Sequence, residues 1–421
     1  MPWIVFAATL VLRLVTAASG PTDWDSAQYA AAVDHFDVSH GQPQPPGYWL
    51  YVQSGRLLHH LFGLGIIHSL VLVAAVASAA GAGLTAVAGR DLGGWWTGVA
   101  AGAVVATCPF AWFSGSIVAT YSFDLVAGPL LIILAWRARP GSWHGVGAVV
   151  ALGLLAGFRQ SILQTFLILA LVAVAGSTRR WGRLALTVSA GLAAVAVWLV
   201  PMAVTQPGGL GAWVHATRTE ATGAARATSV LDHAAAGATN IGTFAAYTAL
   251  ALGALAVLSV LGALALLGRR LRSTPDGAPA RSSPPSPGGA GHRWERPWYQ
   301  RRWAILGAAI VPPVAVVTLV AFAKGGYLLA YLPAATIALL LPLGALIHRT
   351  AEGRASPGWL ALASLGVALV VGLGTQRFVS GDGVLPQRWL RPNGSLWLEQ
   401  PRYQAPYADT LPAIRAADAI D

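Results

Sequence analysis

The chain is poor in three things. It has one cysteine, Cys108, one lysine, Lys324, and few charges of either sign, at 10% of 421 residues. A lone cysteine excludes an intrachain disulfide and a cysteine-built metal site. Soluble domains carry about 25% charged residues, so the scarcity of charge excludes an ordinary soluble globule. The N-terminal apolar run lacks a basic leader and carries Arg13 inside it, so it reads as a retained first span rather than a signal peptide. No repeat of fixed period is visible. What the chain does have is apolar sequence: 55% of its residues are hydrophobic, gathered in runs along the whole length. It is expected to be an all-α polytopic membrane protein.

Eleven spans are predicted: 3–19, 66–89, 93–110, 117–136, 143–158, 161–177, 184–204, 241–268, 303–322, 327–347 and 358–375. The connections alternate in charge. One set holds sixteen arginines, and the opposite set holds Arg56, Arg159, Arg218, Arg226 and Lys324. Positive residues favour the cytoplasmic side, so the first set is placed inside, with the N-terminus. The basic excess therefore reads as topology and anionic-lipid contact, not nucleic-acid binding. The expected division is an N-terminal bundle over 1–268 with an outer loop at 20–65, a Pro-, Ser- and Gly-rich cytoplasmic linker over 269–302, further spans over 303–375, and an outer tail over 376–421.

The first outer loop concentrates the polar chemistry. The stretch "DSAQYAAAV" is helix-forming, and Asp25 with Gln28 three residues on fits a capping box. "GQPQPPG" is stiff and extended. "YWLYVQSGRLLHHLFGL" reads as an interfacial helix with Leu50, Leu57, Leu58, Leu61 and Phe62 on one face and Gln53, Arg56 and His60 on the other. Tyr48, Trp49 and Tyr51 suit headgroup depth. Arg13 and Asp124 lie inside predicted spans, where ionisable groups are costly, and they are expected to pair.

The stretches "WDSAQYAAAV" and "PQPPGYWLYVQSGRLL" resemble the first outer loop of the GT-C class of polyprenol-phosphate-sugar-dependent glycosyltransferases, nearest its protein O-mannosyltransferase-like branch. "CPFAWFSGSIVATYSFDLV" and "KGGYLLAYLPA" resemble two further segments of that class. The chain departs from the pattern at three points. Ala27 and Gln28 follow Ser26 where an acid is usual, Gln44 stands for a histidine before the Pro-Pro pair, and Thr120 stands for an acid before Tyr121.

The resemblance implies transfer of a sugar, with mannose favoured, from a lipid phosphate to an acceptor hydroxyl on a protein, glycolipid or polysaccharide. A hydroxyl is a poor nucleophile and calls for a general base. Asp25 occupies the family's position, with Asp23 as second choice. The phosphate leaves as an anion and needs cations around it, for which Lys324, Arg159 and Arg56 are the candidates. Substrate contacts are expected from Gln28, Tyr29, His40, Gln44, Tyr121, Gln160 and Tyr327, in or beside the matched stretches. Asp34 and Asp37 are expected to be solvated or to meet the acceptor. No cofactor is required. The histidines show no familiar zinc spacing, and a divalent ion bridging Asp23, Asp25 and the phosphate is the alternative. The competing classes are a transporter or flippase of a lipid-linked substrate and an inactive scaffold of the same fold.

Overall fold

The computed structural model describes residues 2–178, 180–229, 234–272, 298–319, 325–351 and 358–380. Among the described residues there is no strand beyond an isolated bridge between Asp37 and Gln42. Every predicted span corresponds to a helix. These are α1 (Pro2–Val15), α4 (Ile66–Gly93), α5 (Trp95–Thr107), α7 (Ser122–Arg137), α8 (His144–Phe158), α9 (Ser161–Ser177), α10 (Trp181–Thr205), α12 (Ala234–Arg272), α13 (Trp298–Leu319), α14 (Leu332–Ala351) and α15 (Gly358–Ser380). Among the described residues, four stretches are long and apolar enough by themselves to cross a membrane: Ile66–Gly93, Trp181–Thr205, Ala238–Gly268 and Arg301–Leu319. The protein is a multi-pass membrane protein. Most of the predicted linker, and the tail beyond Ser380, lie outside the described residues.

Small residues let the helices close up. A β-carbon at Gly98 would stand 2.5 Å from the Ala86 carbonyl oxygen, so α5 and α4 meet backbone to backbone there. α4 is the most enclosed of the long spans, packed against α1, α5 and α7. α13 and α14 lean on the N-terminal helices, α13 on α7 and α9, α14 on α4 and α5.

The third predicted membrane crossing is broken. α5 ends at Thr107, and a short helix α6 (Pro109–Ser116) leaves at 59°. Pro109 sits at the first position of α6, where its missing N–H costs nothing. From sequence the third span ends at residue 110, which leaves 111–116, the rest of α6, as the connection to the next span.

The loop after the first span folds as two helices, α2 (Trp24–Asp34) and α3 (Trp49–Phe62), joined through the Pro-rich turn. Two expectations need correction. The N-cap of α2 is Asp23, which accepts from Ser26 N at 2.8 Å, so Asp25 lies in the first turn instead. In α3, Trp49, Tyr51, Val52 and Gly55 are the buried residues, while Leu57, Leu61 and Phe62 are exposed. Trp49 and Tyr51 are thus core rather than headgroup residues, and Tyr51 donates to the Leu70 carbonyl of α4 at 3.1 Å. A further helix, α11 (Gly209–Thr228), was not foreseen. Its Trp213 indole donates to the Pro46 carbonyl at 2.8 Å and so holds the Pro-rich turn.

Candidate active site

Five pieces of chain converge at one end of the bundle: α2, the turn before α3, the segment before α7, the α8–α9 turn, and a short 3-10 turn over Gly325–Ala330. At their centre is Arg159. It caps the C-terminus of α8 and is only 5% exposed. Its Nε lies 3.1 Å from Asp124 Oδ2, an ion pair without a well-directed hydrogen bond. Its Nη1 donates to Thr120 Oγ1 at 3.3 Å. The guanidinium carbon stands 4.2 Å from the Tyr121 ring centroid and 5.3 Å from that of Tyr327. The two rings meet edge to face at 5.5 Å. A β-carbon at Gly326 would clash with the face of the Tyr121 ring, which is why this turn needs glycine.

Tyr29 and Tyr48 complete the cluster. Their rings pack edge to face at 5.2 Å. The Tyr29 hydroxyl lies 3.5 Å from Thr120 Oγ1 and receives the Gln44 amide at 3.5 Å. Tyr48 adopts a left-handed backbone, φ 45°, unusual for a residue with a β-carbon. Burial pushes its phenol up to about 12, against the pull of Arg159. The half-buried Asp25 carboxylate lies within electrostatic reach of Tyr29, Tyr48 and Tyr121. The cluster thus sets one buried cation, Arg159, among four phenols, with the Asp25 carboxylate within electrostatic reach.

The remaining predicted residues scatter in instructive ways. Asp23 is taken up by its cap, accepting from Ser26 N and from Ser26 Oγ at 2.5 Å. Arg56 donates to the carbonyls of Val33 at 2.7 Å and Ala32 at 3.2 Å, so it closes the C-terminus of α2. That end is about 10 Å along the axis from Asp25. His40 contacts Asp37 at 2.6 Å, with 72% of its side chain exposed against 5% for Asp37. Asp37 is not solvated as expected. It also accepts from Gln206 at 2.7 Å and from Ser39 N at 2.9 Å. These hydrogen bonds outweigh burial and hold its pKa below the usual carboxylate value. The Gln28 amide packs against Gly41, and Gln160 donates to the Pro46 carbonyl at 3.3 Å. Lys324 lies outside the described residues, next to the turn that carries Tyr327.

The expected Arg13–Asp124 pair does not form, because Asp124 belongs to Arg159. Arg13 instead binds Ser78 Oγ at 3.0 Å and the Ala106 carbonyl at 2.7 Å. Sequence reasoning assigned Tyr48 to headgroup depth and noted Thr120 only as a departure from the family pattern, placing neither in the site. A tyrosine after Pro-Pro-Gly was signal enough for the first, since the glycine turn aims it inward. Nothing in the sequence joins Thr120 to Arg159. No group of three or more His, Cys, Asp or Glu able to hold a metal occurs among the described residues.

The fold is that of the GT-C class. It matches the structure of ArnT from Cupriavidus metallidurans bound to undecaprenyl phosphate, with a TM-score of 0.53 at 16% identity. The alignment covers 91% of this chain and 65% of the length of that protein. The apo structure of the same ArnT aligns over the same shares with a TM-score of 0.48. No family model matches the chain, and no curated protein does.

Proposed function

We propose that the chain is a membrane glycosyltransferase that moves a sugar from a polyprenyl-phosphate donor to an acceptor hydroxyl at the outer face of the membrane. The observation that carries the reading is the buried Arg159, ringed by Tyr121 and Tyr327 and sharing its cluster with Asp25. The undecaprenyl phosphate in the ArnT structure supports the choice of donor class.

In this reading the acceptor oxygen attacks the anomeric carbon while the bond from that carbon to the phosphate oxygen breaks. The acceptor proton passes to Asp25. The departing phosphate takes the electron pair and is met by Arg159, whose bond to Thr120 and off-axis pairing with Asp124 leave it able to reorient. Charge stabilisation of this kind is worth most in a site sheltered from water. Asp23 positions α2 and so Asp25. Lys324, beside Gly325 in sequence, is a second cation for the phosphate, whereas Arg56 acts through the C-terminus of α2. Mannose is the first sugar to test, and a protein, glycolipid or polysaccharide supplies the acceptor.

The test is transfer of label from a panel of radiolabelled polyprenyl-phosphate sugars by the purified protein. Label should move in the wild type and stop in Asp25→Ala. Movement of intact lipid-linked sugar across a bilayer, unaffected by Asp25→Ala, would replace this reading with that of a transporter.

A further inference from the structure

Arg13 is the most demanding residue outside the site. It is fully buried in α1, and its partners are a hydroxyl, a carbonyl and a ring rather than a carboxylate. Its Nη1 makes no hydrogen bond. Burial of a guanidinium on these terms is costly and calls for a reason.

The contacts all bear on the broken span. Arg13 Nη2 donates at 2.7 Å to the Ala106 carbonyl, in the last turn of α5, where helical donors run out at the break. A cation is also favoured at a helix C-terminus. Arg13 Nε donates at 3.0 Å to Ser78 Oγ, and Ser78 reaches the Ala111 carbonyl of α6 at 3.3 Å. The guanidinium lies over the Trp112 ring at 5.4 Å. A β-carbon at Gly115 would stand 2.8 Å from Arg13 Nε, so α6 is shaped to receive it. The end of α1 completes the clasp. Thr16 Oγ1 lies 2.9 Å from Ser116 Oγ and accepts from the Trp112 indole at 2.9 Å, and Ala18 N donates to the Ser116 carbonyl at 2.8 Å. Immediately beyond α6 the chain passes Val118, whose carbonyl accepts from Ser26 at 3.3 Å, and arrives at Thr120 and Tyr121.

We propose that Arg13 is a positioning residue for the site: it fixes the bend between α5 and α6 and thereby places Thr120 and Tyr121 against Arg159. The catalytic consequence rests on the transferase reading above, while the positional claim does not.

Two measurements keep these apart. The first needs no activity. With Cys108→Ala in place, a cysteine at Thr120, 1% exposed in the native chain, should react slowly with a maleimide. Adding Arg13→Met should speed labelling by about tenfold or more, and Arg13→Lys by less, because an ammonium can meet only part of the guanidinium's fork. Labelling at the native rate in a folded Arg13→Met protein overturns the proposal. Should Arg13→Met fail to fold, Ser78→Ala and Arg13→Lys carry the same comparison. The second measurement is turnover. Arg13→Met should lower kcat by about 10²-fold with KM nearly unchanged, the scale expected of a misplaced reacting group. A disulfide between cysteines at Thr16 and Ser116 restores the clasp without the charge, and should recover most of that loss when oxidised. Lack of recovery with the disulfide formed would mean that Arg13 acts by its charge, and would also overturn the proposal. If the wild type transfers no sugar, the transferase reading falls, and the labelling result still decides the role of Arg13.

Discussion

Two aspartates two residues apart divide the work at the start of α2. Asp23 serves the backbone, and Asp25 lies within electrostatic reach of the phenols around Arg159. Their variants should therefore part company. Asp23→Ala should cost about 1 kcal/mol of stability, with Asp23→Asn and Asp23→Ser near wild type, as for any cap. Asp25→Asn should leave the melting temperature in place and lower turnover about 10²-fold or more, because an amide cannot take the proton. Equal turnover in Asp25→Asn and wild type would remove the base. Arg159 poses the opposite problem, since it has a buried acid for company. Arg159→Met strands the Asp124 carboxylate, a loss of about 3–5 kcal/mol for a buried pair. Adding Asp124→Asn should restore folding, since the stranded charge is gone. It should not restore transfer, and recovery of activity in that double variant would take the phosphate away from Arg159.

At the scale of elements, the spans were legible because an apolar run of membrane length has few alternatives. So were α2 and α3, whose composition and caps differ from everything around them. What could not be read was local competition. Asp25 with Gln28 is a good capping box, yet Asp23 takes the cap because its carboxylate meets both the N–H and the hydroxyl of Ser26. The leucines of α3 marked an apolar face correctly, but in a membrane protein that face can turn to lipid while tyrosine and tryptophan go inward. The pairing of Asp124 was missed because Arg13, like Asp124, lies inside a predicted span whereas Arg159 lies in a turn; the packing of α8 against α7 brings Arg159 to Asp124. The Asp37 latch was invisible for the same reason: Gln206 lies at the far end of α10. That latch gives a pH prediction. The Asp37 pKa is lower in the fold than in the unfolded chain, so its contribution is complete above the unfolded carboxylate value, about 4. It is lost as pH falls through the folded value. Melting temperature in detergent should drop more steeply on acidification in the wild type than in Asp37→Asn. Parallel curves would show that the latch contributes nothing to stability.

For the whole molecule the transferase reading turns on sidedness, because the proposed site must face the side on which a lipid-linked sugar is presented. The arginine distribution carries the orientation we propose: the connections that hold sixteen basic residues in the cytoplasm, and the loop with Asp25 and the turn with Arg159 outside. The helices agree on parity. α2 and α3 follow α1, and Arg159 lies between α8 and α9 on the same side, where it meets Thr120. Contact between these loops fixes them to one face, and charge alone decides which. Single cysteines at Ser39, in the outer loop, and at Ser286, in the Pro-, Ser- and Gly-rich segment, are the probes, each with Cys108→Ala. In intact cells an impermeant maleimide should label the cysteine at position 39 and spare that at position 286. In inverted vesicles the pattern should reverse. Labelling of both from one side would break the map, and the reverse pattern would turn the site toward the cytoplasm, where the acceptor would have to be sought instead.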